Sequence, residues 1–128
     1  MSANQFATAI NCMDGRVQIP VFEYIKTIYG VNFVDMITEP GPIRTLSKNR
    51  EKAIIESIKK RVEISIAKHN SKLVALVGHH DCAGNPVEQD TQVKQLRMAI
   101  KVVDSWKFNA QIIGLWVDKN LEVREVTF

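Results

Sequence analysis

Cys12, His79 and Cys82 are the side chains of this sequence best suited to hold a metal ion. In His79-His80-Asp81-Cys82 an imidazole stands three residues before a thiol, a spacing that lets both donors reach one ion. Cys12 can supply a third ligand if the fold brings it near. Two thiolates and one imidazole with an open fourth position make a catalytic zinc arrangement, whereas a structural site closes the sphere with four protein ligands. The chain has two cysteines, so no third thiolate is available to close it. His80 and Asp81 are formally available as a fourth ligand, but neighbours so close to His79 would strain to reach the same ion. In Cys12-Met13-Asp14-Gly15-Arg16 a carboxylate and a guanidinium follow the first cysteine at alternate positions. Each piece alone has an ordinary reading, since a buried cysteine usually behaves as a small packing residue. What raises them above it is where the chain must put them.

Both cysteines follow apolar runs that read as strands. Phe6 to Asn11 is a short buried strand that runs into the Cys12 loop. Val21, Tyr24, Ile25 and Ile28 mark one face of a short helix, with Pro20 near its start and Tyr29-Gly30 at its end. Val31 to Thr38 is a second strand, broken by Pro40-Gly41-Pro42. From Ser47 to His69 an apolar stripe of Ile54, Ile55, Ile58, Val62 and Ile66 predicts one long helix. Lys72 to Gly78 is continuously apolar after its first residue, the pattern of a parallel strand covered on both faces, and it ends at His79. Val93, Leu96, Ile100 and Val103 share a face of a third helix. Gln111 to Val117 is a last central strand, and Asp118-Lys119-Asn120 turns the chain into an antiparallel edge strand over 121–126.

Strands alternating with helices predict an α/β fold: a three-layer sandwich around a mostly parallel sheet, order 2-1-3-4, with an antiparallel edge strand. In such a sheet the ligand crevice opens at the carboxyl ends of the strands where the winding reverses. That point falls between the first and third strands, so Cys12 and Cys82 are expected to face each other across it.

Composition narrows the remaining classes. At 128 residues and 14.5 kDa the chain reads as a single domain over 1–128, large enough to fold without disulfides. With 45% hydrophobic and 24% charged residues it is too apolar for a disordered chain. No apolar run approaches the ~20 residues of a membrane span, and no export signal is visible, so a cytoplasmic protein without membrane partners is expected. The net charge of +3 is concentrated between Lys48 and Glu63. No aromatic residue interrupts that basic stretch, which reads as a solvated helix face and not as a nucleic-acid surface.

Cys12-Met13-Asp14-Gly15-Arg16 and Gly78-His79-His80-Asp81-Cys82 resemble the two signature segments of the β-class carbonic anhydrases. The strand Ile112 to Val117 with its hairpin is similar to that family's closing segment. The resemblance implies a zinc ion held by Cys12, His79 and Cys82, and a catalytic dyad of Asp14 and Arg16. It implies reversible hydration of carbon dioxide to bicarbonate by a zinc-bound hydroxide, with Asp14 accepting its proton and Arg16 keeping Asp14 ionised. The same chemistry could serve carbonyl sulfide or carbon disulfide, and the same fold could serve as a catalytically silent zinc module. His80 is a proton-shuttle candidate by chemistry alone, and otherwise a surface histidine.

Three departures from the family pattern stand out. Thr38-Glu39-Pro40-Gly41-Pro42 replaces a segment of Arg-Asn-Ala-Gly type, Ala83 follows the second cysteine where glycine is usual, and the domain is short at both ends. The family pairs as dimers, so a homodimer or higher homo-oligomer is expected to wall the site. Phe22, Tyr24 and Phe33 are conceivable wall residues, with core packing the simpler reading of each.

Overall fold

The apolar runs form strands and the periodic segments form helices in the computed structural model, which describes residues 5–128. The strands are β1 (Phe6–Cys12), β2 (Phe33–Glu39), β3 (Leu73–His79), β4 (Gln111–Val117) and β5 (Val123–Val126). The helices are α1 (Gln18–Tyr29), α2 (Pro42–Lys48), α3 (Lys52–His69) and α4 (Gln89–Asp104), and a 3-10 turn over Gly15–Val17 leads into α1. The sheet order is β2-β1-β3-β4-β5, parallel throughout except for the β4–β5 hairpin. Order, layering and the antiparallel edge are those expected from the sequence.

Two apolar layers sandwich the sheet. On one face Val17, Val21 and Ile25 of the α1 segment cover Ala7, Ala9, Ala75, Val77 and Leu115. On the other, Ile43 and Leu46 of α2, Ile55, Ile58 and Val62 of α3 and Leu96, Ala99 and Val103 of α4 pack over Ile10, Val74 and Leu76. Every residue of β3 is buried, which is why its sequence is continuously apolar and does not alternate. One polar thread crosses the second layer: Thr8, Ser65 and Ser71 are buried and joined through their hydroxyl oxygens at 2.6 and 2.7 Å.

The long helix expected from Ser47 to His69 is α3, which starts later, at Lys52; Ser47 and Lys48 instead end a separate short helix, α2, where the sequence reading placed a breaker. Pro42 occupies the first turn of α2, where its missing N–H costs nothing and its fixed φ suits the helix. A Pro-Gly-Pro run that reads as a breaker is thus also a helix start. Asn49, at φ 53°, closes α2 with its N–H on the Thr45 carbonyl, and α3 begins at Lys52. The stripes are also narrower than read. Ile28 is 59% exposed. In α4 the inward residue near the start is Gln92, while Val93 is only half-buried.

Strand pairing opens the crevice. β1 pairs with β2, and β3 with β4, over seven residues each, but β1 and β3 pair only from Thr8–Val74 to Ile10–Leu76. Beyond that pair the two strands part toward their carboxyl ends. Among the described residues no helix is long and apolar enough to cross a membrane.

Candidate metal centre

Cys12 ends β1, His79 ends β3, and Cys82 follows three residues later, so the parting strands deliver all three to one place. Their donor atoms lie within 4.8 Å of one another, and all three side chains are buried. The two sulfurs are 3.8 Å apart. Two zinc–sulfur bonds of ~2.3 Å at a tetrahedral angle would set sulfurs about 3.8 Å apart. His79 Nδ1 lies 2.8 Å from the His80 carbonyl, which can only accept, so Nδ1 carries the proton and Nε2 keeps its lone pair. That Nε2 is buried and has no hydrogen-bond partner. A buried acceptor without a donor beside two thiols leaves a place that a metal ion could fill, and the donor set suits zinc.

The electrostatics favour the same conclusion. The hydrogen bond from the Cys82 thiol draws Cys12 down, against the opposing effect of burial. Cys82 moves up, because it gives that bond and because burial and the Cys12 charge both disfavour a second thiolate. Burial disfavours a charged His79, yet the Cys12 sulfur and the His80 carbonyl outweigh it and the balance is upward. A dication would relieve this competition by stabilising both thiolates.

Asp14 and Arg16 meet as the sequence implied. Asp14 caps the 3-10 turn, accepting the Arg16 backbone N–H at 2.9 Å, and its carboxylate also receives Arg16 Nε at 3.1 Å and Nη2 at 2.7 Å. These bonds hold Asp14 at about 2, below the usual carboxylate range. Arg16 reaches on to the other loop, with Nη2 on the Asp81 carbonyl at 3.1 Å and Nη1 3.4 Å from its carboxylate. One guanidinium therefore ties the Cys12 loop to the Cys82 loop.

Several positions around the site escaped the sequence reading. Gln18, the first residue of α1, donates to the carbonyls of Cys12 and Asp14 at 2.7 and 2.9 Å. Buried Asn11 accepts the Cys12 N–H at 2.9 Å and donates to Val17. Gln92 holds both backbone groups of His79. Its signal was available, since 92, 96, 99 and 103 form a helical stripe with one polar member. Gly84, one residue beyond exposed Ala83, meets the Pro40-Gly41 backbone directly, so the glycine requirement sits there.

The remaining candidates are placed plainly. Glu39 pairs with Arg61 of α3, while its carbonyl accepts the Met13 N–H at 3.0 Å. His80 is exposed, with its N–H on the Val117 carbonyl. Phe22 and Tyr24 are half-buried, and Phe33 is exposed on the β2 edge. A recess of about 20 Å³ beside His79 is lined by Arg16, Val17, His80, Val117 and Leu121.

A five-stranded α/β sheet with a Cys–His–Cys cluster at the parting of its central strands defines a class of protein that could bind a metal ion at a carboxyl-edge crevice. Residues 2–127 match the family model described as "Putative carbonic anhydrase", and the chain belongs to that family. Among solved structures the fold resembles the β-carbonic anhydrase CafA of Aspergillus fumigatus, with a TM-score of 0.53 and 16% identity over 98% of this chain and 76% of that one. It also resembles one of two tetrameric β-carbonic anhydrases of Sordaria macrospora, with a TM-score of 0.51 and 16% identity over 99% of this chain and 83% of that one. At that identity the likeness is one of fold. No curated protein sequence matches the chain.

Proposed function

We propose that this protein binds one zinc ion through Cys12, His79 and Cys82 and catalyses the reversible hydration of carbon dioxide to bicarbonate. The observation that carries the reading is the unpartnered, buried His79 Nε2 converging with two sulfurs at zinc spacing. Bound zinc would supply hydroxide near neutral pH, because the dication lowers the pKa of water. Asp14, ionised and held by three donors of Arg16, accepts the proton of the attacking oxygen and aims its lone pair at the substrate carbon. Arg16 keeps the carboxylate from turning, because its guanidinium is also bound to Asp81 across the crevice. The fork geometry makes Lys a poor substitute.

A second copy of the chain belongs to this reading. Met13 and Ile19, on the segment that carries Asp14, are 62% and 70% exposed. The small recess beside His79 is not lined by Cys12, Asp14 or Cys82. A homodimer that covers these side chains would exclude water from the crevice. Metal analysis combined with stopped-flow hydration tests the proposal. About one zinc per chain and a rate above buffer are expected; zinc-loaded protein without hydration activity between pH 6 and 9 would refute the activity. Sedimentation showing monomer alone would refute the partner-covered site.

A further inference from the structure

Gln92 is a polar side chain on the apolar face of α4. It shares that face with Leu96, Ala99 and Val103 and is only 2% exposed. Its Oε1 accepts the His79 backbone N–H at 3.3 Å, and its Nε2 donates to the His79 carbonyl at 2.8 Å and to the Val87 carbonyl at 3.4 Å. These partners fix the orientation of the amide, since only its NH₂ can donate and only its oxygen can accept.

The place of this side chain follows from the sheet. Along a parallel strand, backbone groups of successive residues point alternately to the two neighbouring strands. The His80 N–H goes to Val117 of β4, so the His79 groups face the other side, toward β1. There β1 has already parted, its register with β3 ending at Ile10–Leu76. Two buried backbone groups of the metal-site histidine would otherwise lack partners. The Gln92 carboxamide supplies one donor and one acceptor and so stands in for the missing strand. Gly78 leaves it room: a Cβ there would lie 3.2 Å from Gln92 Oε1 and 3.4 Å from the Trp116 ring.

We propose that Gln92 is a positioning residue of the metal centre: by holding the peptide groups on both sides of His79, it fixes the direction in which Nε2 faces Cys12 and Cys82. The inference rests on the metal-binding reading above but not on carbon dioxide turnover. The imidazole's own anchor, Nδ1 to the His80 carbonyl, sets ring rotation. The backbone at residue 79 sets where the ring starts. Neither alone determines the donor direction, and groups that orient a metal ligand commonly set affinity as strongly as the ligands do.

The test measures zinc affinity by chelator competition on folded, metal-free protein, together with the visible spectrum of the cobalt(II) form. Wild type is compared with Gln92→Leu, Gln92→Glu and the control Ser65→Ala, which cuts the buried hydroxyl thread in the α3 layer. Gln92→Leu is expected to weaken zinc binding by about 10–100-fold and to shift the cobalt bands. Gln92→Glu keeps the size but loses the donor to the His79 carbonyl, and is expected to weaken binding as well; it carries the test if the leucine variant does not fold. Ser65→Ala is expected to lower the melting temperature and leave affinity and bands unchanged. If wild type binds no metal, the metal reading itself fails. If wild type binds while both Gln92 variants bind within about twofold of it with unchanged bands, or Ser65→Ala weakens binding equally, the positioning role alone is overturned.

Discussion

Gly84→Ala tests the backbone contact that joins the metal loop to the loop after β2. An ideal Cβ at residue 84 would lie 2.5 Å from the Pro40 carbonyl carbon, 2.7 Å from Gly41 N and 2.9 Å from the Pro40 oxygen. Ordinary van der Waals contact starts at 3.4 Å, so the loops must part by roughly 0.9 Å, the difference between 3.4 and 2.5. No flexible side chain can absorb this, because every atom met is backbone. Gly41 cannot simply rotate away: it sits at φ 60°, and its own Cβ position is 2.7 Å from the Gly84 carbonyl. Overpacking of this kind costs about 1–3 kcal/mol. For a chain of this length each kcal/mol lowers the melting temperature by about 3–5 °C, so a fall of roughly 3–15 °C is expected. Ala83→Gly, one residue earlier and exposed, changes mainly the entropy of the unfolded chain and should cost about 0.4–1 kcal/mol. Circular-dichroism melts of the metal-free proteins separate the two. A Gly84→Ala protein that melts within about 2 °C of wild type, or no lower than Ala83→Gly, would refute the argument that these loops meet backbone to backbone.

Other outcomes follow from the site and the hairpin. Asp14→Asn should lower carbon dioxide hydration by about 10²–10⁴-fold while metal analysis still finds zinc, and wild-type turnover would remove Asp14 from the mechanism. Because Arg16 holds Asp14 at about 2, the carboxylate is ionised from pH 5 upward, and an acid limb in the rate profile must come from another group. Burial and the bond to Glu125 push the Tyr29 phenol up to about 12, above its ordinary 10. That contribution is whole below pH 10 and is lost as the pH rises toward 12, because only the unfolded chain then ionises freely. Tyr29→Phe should therefore be less stable than wild type by about 1 kcal/mol at pH 9 in urea unfolding, and the gap should close by pH 11 to 12. Chelator-treated protein should keep its far-ultraviolet circular dichroism at 25 °C; loss of helix signal on chelation would show that the metal is needed for folding.

The sheet was legible because its signals are local and repeated. β3 is a continuous apolar run that no amphipathic helix would tolerate, and its neighbours alternate with periodic segments. Once the winding was inferred, the meeting of Cys12 with His79 and Cys82 followed from topology. The short helix α2 was not legible, because Pro42 and Asn49 bound it through backbone angles that no apolar stripe records. The buried glutamine and asparagine were missed for a different reason. Their value lies in which backbone groups the sheet leaves unpaired, and that depends on where β1 and β3 part, which composition and spacing do not encode. The Arg16–Asp81 bridge is likewise a relation between two loops that only the assembled fold brings together.

The same geometry bears on the role a metal ion would have in the proposed function. Backbone groups at the ends of β1 and β3 are held by side chains of the protein: Cys12 by Asn11 and Gln18, and His79 by Gln92. Neither clamp touches the three donor atoms. A site that depended on zinc for its shape would have no reason to bury two polar side chains, Asn11 and Gln92, to hold those backbones. What the protein alone leaves unresolved is local to the donors: one buried nitrogen without a partner, and two thiols of which only one can ionise comfortably. These are deficits of charge, not of folding, and a dication would remove them. Under the proposed metal-binding reading, the sheet and its glutamine and asparagine clamps would meet the cost of bringing the three donors together before an ion arrived.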